Sequence, residues 1–141
     1  MKKYQTNSAA ETQKMAADTA NKYKNGGIIA LSGPLGAGKT TFAQGFARSL
    51  GITQNLISPT FILIKNYLIP GNEKGQLFHI DLYRLEKKPQ IDAIGLSDIL
   101  NNANNIVIIE WAERLNKLPD NTMQVNIIPT GESSREIEII E

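Results

Sequence analysis

The chain has 141 residues, a formal net charge of +1 and no cysteine, and 41% of its residues are hydrophobic. That length predicts one domain with its own core, over residues 1–141. The lack of cysteine excludes disulfides, zinc–thiolate sites, iron–sulfur clusters and a cysteine nucleophile. The balanced charge argues against charge-driven binding to nucleic acid.

The sequence shows no membrane or export segment. The basic start at Lys2 and Lys3 is not followed by the apolar stretch of a signal peptide. Aliphatic runs such as residues 106–109 are far shorter than the about 20 residues that a membrane helix needs. We therefore expect a cytoplasmic protein that does not contact the membrane.

The first half of the chain alternates helical and strand patterns. Its predicted elements are a helix from Ser8 to Tyr23, a strand over 28–31, a glycine-rich loop over 33–38 and a helix over 39–50. Ser8 followed by Glu11 is typical of a capping box at a helix start. Gly51 stands where a helix C-cap is expected.

The second half is richer in strand patterns. Its predicted elements are strands over 61–67 and 75–82, a short helix over 92–100, a strand over 106–109 and strands over 123–128 and 135–140. Turn residues between the members of the first and last pairs predict two β-hairpins. This order predicts a small α/β domain, three-layered, with a mixed, partly parallel sheet.

The strongest motif is a phosphate-binding loop, which makes a single-domain P-loop NTPase the expected fold. The segment reads Gly33-Pro34-Leu35-Gly36-Ala37-Gly38-Lys39-Thr40 and matches G-x-x-x-x-G-K-[ST] between a strand and a helix. Glycines let backbone N–H groups surround phosphate oxygens, and the helix N-terminus adds further donors. Lys39 is expected to reach the β- and γ-phosphates and the Thr40 hydroxyl to bind Mg²⁺.

Two acidic residues follow apolar strand patterns and are candidate partners of the loop. They are Glu110, after 106–109, and Asp81, at the end of the strand pattern over 75–82. One acid would hold Mg²⁺ and the other would orient the attacking water, and the residues alone leave these roles open. The alternative is a solvated strand-end acid or an ion pair with Arg84.

Three more residues lie close to these motifs. Thr60, in Ser58-Pro59-Thr60-Phe61, occupies a position where P-loop proteins have a switch segment that contacts the γ-phosphate, although a plain loop is the alternative. His79 is interpreted as a core or interface residue rather than a catalyst. Trp111 is expected to pack near the metal and to report on nucleotide binding.

Other functional classes remain in competition. A GTPase is disfavoured because residues 116–120 only approximate N-K-x-D and Asp92 to Gly95 lacks a preceding strand. A small-molecule kinase is disfavoured because no arginine-bearing lid is recognisable. A nucleotide-sensing binding module remains an alternative, although it would not need a water-positioning acid.

The motifs together resemble the TsaE (YjeE) family, small ATPases of bacterial tRNA threonylcarbamoyladenosine biosynthesis. Four segments in the family's order carry the resemblance, at 35–42, 58–61, 79–84 and 109–111. Residues 8–12 and Arg135 also look like the family, so the match covers essentially the whole chain. Pro34 departs from the acid that is common there, at a side chain not expected to touch phosphate.

The resemblance implies binding of ATP or ADP with Mg²⁺ and ATP hydrolysis that is weak without a partner. It implies association with TsaD, usually in the TsaB–TsaD complex, which transfers threonylcarbamoyl to adenosine 37 of tRNA. The tRNA would then be contacted mainly through that complex. The site residues implied are Gly36, Ala37, Gly38, Lys39, Thr40 and Thr41 for phosphates, Thr40 and Glu110 for Mg²⁺, Asp81 for metal or water, Thr60 and Phe61 for the switch, and Thr12 and Arg135 near the base or ribose.

Overall fold

The structure, a computed structural model, describes residues 1–34, 36–54, 56, 64–83, 95–115 and 117–141. Its strands and helices, in chain order, are β1 (Lys2–Thr6), α1 (Ala9–Ala20), β2 (Gly27–Ser32), α2 (Lys39–Ser49), β3 (Ile64–Ile69), β4 (Asn72–Asp81), α3 (Leu96–Asn101), β5 (Ile106–Glu110), β6 (Met123–Pro129) and β7 (Arg135–Ile140). Short 3₁₀ turns cover Asn21–Tyr23 and Ala112–Arg114.

The seven strands form one mixed sheet in the order β1-β7-β6-β2-β5-β4-β3. The four central strands, β6, β2, β5 and β4, are parallel to their neighbours among themselves. The outer strands pair antiparallel, β3 with β4 and β7 with β6 and β1. The predicted α/β class, partly parallel sheet and hairpins are thus confirmed.

Apolar side chains cover the sheet on both faces. One core lies between the sheet and helices α1 and α2, and its largest fully buried members include Phe42 and Phe46 of α2. The other core lies under α3 and contains Leu96, Ile80 and Ile109. Parallel strands covered on both faces read as continuous apolar runs, which is why the central strands were predictable.

Ser8 caps α1 as predicted, because its hydroxyl accepts a hydrogen bond from the Glu11 N–H over 3.2 Å. One part of the predicted order is wrong, since the chain starts with strand β1 rather than with a helix. Residues 2–5 of this edge strand are exposed and only Thr6 is buried, so the segment lacks an apolar alternation. Its position comes from backbone pairing with β7, in which Tyr4 lies opposite Ile137.

Some predicted features lie outside the described residues. These are Leu35 of the loop, residues 57–63 with Ser58, Thr60 and Phe61, residues 84–94 with Arg84, and Asn116. The predicted helix over 92–100 is described from residue 95 onward, where α3 spans Leu96–Asn101. Among the described helices, none is long and apolar enough to cross a membrane.

Candidate functional site

The glycine-rich loop joins the end of β2 to the start of α2. Gly36 and Gly38 have left-handed backbones, with φ of 78° and 103°, a conformation that glycine adopts without strain. A Cβ built on Gly36 would meet no atom within 4 Å, so one side of the loop is open. The Ala37 N–H closes a turn onto the Pro34 carbonyl over 3.1 Å.

Lys39, the first residue of α2, points its ammonium back over the loop. Its Nζ donates to the Gly33 carbonyl over 2.8 Å and lies 3.7 Å from the centroid of the Trp111 ring. The residue is only 6% exposed. Burial lowers the pKa of Lys39 below the ordinary lysine value, and three carboxylates oppose that shift, those of Glu110, Glu113 and Asp81.

The two predicted acids stand side by side at one edge of the sheet. Asp81 ends β4 and Glu110 ends β5, and they occupy the same position in the register of these parallel strands. Both are buried. Asp81 accepts a hydrogen bond from the Tyr83 N–H over 2.9 Å. Since β2 runs parallel to β5 and leads into the loop, phosphate loop and acids share the carboxyl edge, where open α/β sheets bind ligands.

Two further residues form hydrogen bonds with acidic side chains at this edge of the sheet. The fully buried His79 forms a hydrogen bond through Nε2 to Oε2 of Glu110. The Ser32 hydroxyl, at the end of β2, donates to Glu113 over 3.2 Å. His79 is therefore a core residue, as expected, but one that contacts a candidate catalytic acid.

The residue after Glu110 has an uncommon backbone. Trp111 has φ of 58°. Among the described residues, it is the one non-glycine residue with a positive φ. Such a conformation is costly for a bulky side chain and tends to occur at functional sites. The Trp111 ring lies 4.9 Å from the ring of Tyr83, centroid to centroid, so it contacts both this ring and the Lys39 ammonium.

Arg135 joins the phosphate loop to the β6–β7 hairpin. Its guanidinium donates to the carbonyls of Ala37, over 2.6 Å, and Gly36, over 3.2 Å. It also donates to three carbonyls of the hairpin turn, those of Gly131, Glu132 and Ser134. These contacts are with the protein backbone, and proximity of Arg135 to a base or ribose stays a prediction.

The other predicted binding residues lie on the helices. Thr40 and Thr41 are half-buried in the first turn of α2, beside the loop. Thr12 is buried in α1, where its hydroxyl shares a 2.8 Å hydrogen bond with that of Thr6. Its nucleotide contact also stays a prediction, as does that of Thr60.

The family model for "Threonylcarbamoyl adenosine biosynthesis protein TsaE" matches residues 6–137 of the chain. The chain belongs to the TsaE family. The TsaE protein of Bacillus subtilis is 38% identical over 136 residues, covering 96% of this chain and 82% of that protein. The TsaE protein of Treponema pallidum is 32% identical, covering 94% and 95% of the two chains.

The fold agrees with a solved structure of the same family. A crystal structure of Bacillus subtilis YdiB matches with a TM-score of 0.78 at 36% identity, covering 96% of this chain and 82% of the other. A similarity of this extent confirms both the family resemblance and the α/β architecture that the sequence predicts.

The described residues fit Mg²⁺ that is bound together with phosphate. They contain no group of three or more histidine, cysteine or acidic side chains able to hold a metal alone. Mg²⁺ usually keeps several waters and takes one or two carboxylates plus substrate phosphates. Asp81, Glu110 and the Thr40 hydroxyl beside an open glycine loop are a donor set of this kind.

Sequence reasoning missed two contributors to this TsaE site. The contact of His79 with Glu110 had a usable signal, because residues 79 and 81 share a strand face and Asp81 was already expected beside Glu110. Glu113, which bonds Ser32 and acts on the pKa of Lys39, carries no motif that would have singled it out.

Proposed function

We propose that this chain is a Mg²⁺-dependent ATPase that binds ATP and ADP through residues 33–41. Its ATP hydrolysis is weak without a partner protein, which completes the active site. The activity supports formation of threonylcarbamoyladenosine at position 37 of tRNA through action on the TsaB–TsaD complex. The tRNA is contacted mainly by that complex.

The observation that carries this proposal is the burial of the Lys39 ammonium at the glycine-rich loop. A buried ammonium needs compensation, and within the described residues Nζ contacts a neutral carbonyl and an indole ring. It stands at the N-terminus of α2, where the helix dipole also favours an anion. A phosphate placed on this loop would add an anion that the ammonium can bind directly, in addition to the electrostatic influence of Glu110, Glu113 and Asp81.

The two buried acids, Asp81 and Glu110, would support ATP hydrolysis. Thr40 and Glu110 would hold Mg²⁺, and Asp81 would support the metal or the attacking water. When bound, Mg²⁺ neutralises charge on the phosphate oxygens. A binding module that only senses nucleotide has no need of two buried acids at this edge, which is why hydrolysis is favoured over sensing.

The names of the relatives support the tRNA role. The matched proteins of Bacillus subtilis and Treponema pallidum are both called "tRNA threonylcarbamoyladenosine biosynthesis protein TsaE". The net charge of +1 agrees with an accessory role, because a protein that binds RNA through phosphate contacts carries a basic surface. The dependence on a partner has a precedent in P-loop enzymes, where a group supplied in trans raises the rate by about 10³–10⁵.

The binding step is tested by calorimetry with Mg-ADP on wild type, Lys39→Ala and the exposed-site control Lys74→Ala. Loss of one charge-assisted hydrogen bond of about 1.5–3 kcal/mol predicts about ten- to hundredfold weaker binding for Lys39→Ala. Lys74→Ala, on the β3–β4 hairpin, should bind like wild type. Unchanged affinity in Lys39→Ala would remove the loop from nucleotide binding.

Turnover and partnership need a separate measurement. ATP hydrolysis is followed for wild type and Glu110→Ala, with and without purified TsaB–TsaD. We expect stimulation by the complex for wild type and loss of turnover with retained complex formation for Glu110→Ala. No stimulation and no complex would refute the partner role, and full turnover by Glu110→Ala would refute a role of that acid.

A further inference from the structure

His79 is the one histidine of the sequence, and the proposed chemistry leaves it unused. It lies on β4 two residues before Asp81, and its partner in the register of β5 is Ile108, two residues before Glu110. Because alternate residues of a strand share a face, His79 stands on the same face as both acids. The imidazole is completely buried.

The two nitrogens of the His79 imidazole differ in their hydrogen bonding. Nε2 bonds Oε2 of Glu110, whereas Nδ1 is buried and has no hydrogen-bond partner among the described residues. A carboxylate oxygen only accepts, so Nε2 carries the hydrogen.

We infer that His79 is a positioning residue for Glu110. This rests on the proposed function, in which Glu110 holds Mg²⁺ beside the nucleotide. The bond engages Oε2 and fixes the carboxylate rotamer, which leaves Oε1 as the oxygen for the metal. Residues that orient a metal-binding carboxylate in this way commonly change metal affinity or activity by about 10–100-fold when they are replaced.

A purely structural role for His79 makes different predictions. As a space-filling core residue it would be replaced well by an apolar side chain such as leucine, and activity would follow stability alone. As a positioning residue it would be replaced better by glutamine, whose amide N–H can still reach a carboxylate. The matched control is Leu77→Ala, because Leu77 is fully buried on the same face of the same strand.

The first experiment uses the nucleotide-free protein, and the single histidine makes it direct. A ¹⁵N-histidine spectrum of the wild type should show hydrogen on Nε2, the nitrogen that bonds Glu110. Glu110→Ala should shift the Nε2–H signal and speed its exchange with water, while Leu77→Ala should leave both near wild type. A ring with no hydrogen on Nε2, or a signal that is indifferent to Glu110→Ala, would overturn the inference.

The second experiment measures ATP turnover with TsaB–TsaD and unfolding in urea for His79→Leu, His79→Gln and Leu77→Ala. We expect His79→Leu to lower kcat at least about tenfold with KM within about twofold, His79→Gln to recover most of it, and Leu77→Ala to lose stability but keep kcat. In the Glu110→Ala background, His79→Leu should cause no further loss. A kcat that follows unfolding stability across all three variants would overturn the inference.

The two arms separate failure of the inference from failure of the proposed function. A wild type that hydrolyses no ATP with its partners would refute the proposed ATPase. The inference is then decided by the histidine spectrum, which needs neither nucleotide nor turnover.

Discussion

Replacing Arg135 tests how the phosphate loop is held in place. Its side chain donates to the carbonyls of Ala37 and Gly36, of which Ala37 is fully buried and Gly36 is exposed. In Arg135→Ala the exposed carbonyl can bind water, whereas loss of the charge-assisted hydrogen bond to the Ala37 carbonyl costs about 1.5–3 kcal/mol. We expect the free energy of unfolding in urea to fall by that amount.

Nucleotide affinity should fall as well, because the guanidinium sets the direction of a loop peptide. In a trans peptide the C=O and N–H point opposite ways, so a hold on the Ala37 carbonyl turns the Gly38 N–H away from Arg135. Without that hold, one backbone donor of the proposed phosphate cradle loses its orientation. One charge-assisted hydrogen bond of about 1.5–3 kcal/mol then predicts about ten- to hundredfold weaker Mg-ADP binding by calorimetry.

Arg135→Lys separates geometry from charge. Lysine keeps the positive charge but replaces the planar fork of donors by a single ammonium. If the fork positions the loop, Arg135→Lys loses most of the affinity that Arg135→Ala loses; if charge alone matters, it binds like wild type. Arg48→Ala, which removes an exposed arginine of α2, is the control. Wild-type stability and affinity in Arg135→Ala would refute the reasoning.

Two further changes test the helix packing and the ring beside Lys39. A Cβ on Gly45 of α2 would lie 2.4 Å from the backbone oxygen of Gln13 in α1. Gly45→Ala should therefore lose about 1–3 kcal/mol of unfolding free energy in urea, despite a helix-propensity gain of about 1 kcal/mol. Equal stability of Gly45→Ala and wild type would contradict this packing. Trp111 is the sole tryptophan, so Mg-ADP that draws Lys39 off its ring should change the emission of wild type but not of Lys39→Ala.

The parts of the fold that were predictable from the sequence are those in which local pattern and burial agree. Residues 106–109 of strand β5 are a run of apolar residues buried on both faces, and such a run is visible without any partner. Strand β1 was not predictable, because Lys2–Thr6 has one buried residue and depends on pairing with a strand at the other end of the chain.

The candidate site divides in the same way. Lys39 and the glycines belong to a local motif, and each acid follows its own apolar strand, so these were predictable one segment at a time. The hydrogen bond from Arg135 to Ala37 joins residues that are 98 positions apart. No local pattern encodes such a contact, and only the topology that places β6 next to β2 brings the hairpin under the loop.

The same topology places the proposed phosphate loop next to the residue that follows Glu110. Lys39 is the first residue of the helix that the loop opens, and its ammonium packs on the ring of Trp111, the residue directly after Glu110. A phosphate that attracts the ammonium removes a cation from that ring, at a backbone already held at an uncommon φ. His79 restrains Glu110 from the core side while Trp111 responds on the loop side. Occupancy of the loop would therefore reach the residue next to the acid, and the acid itself would keep its place.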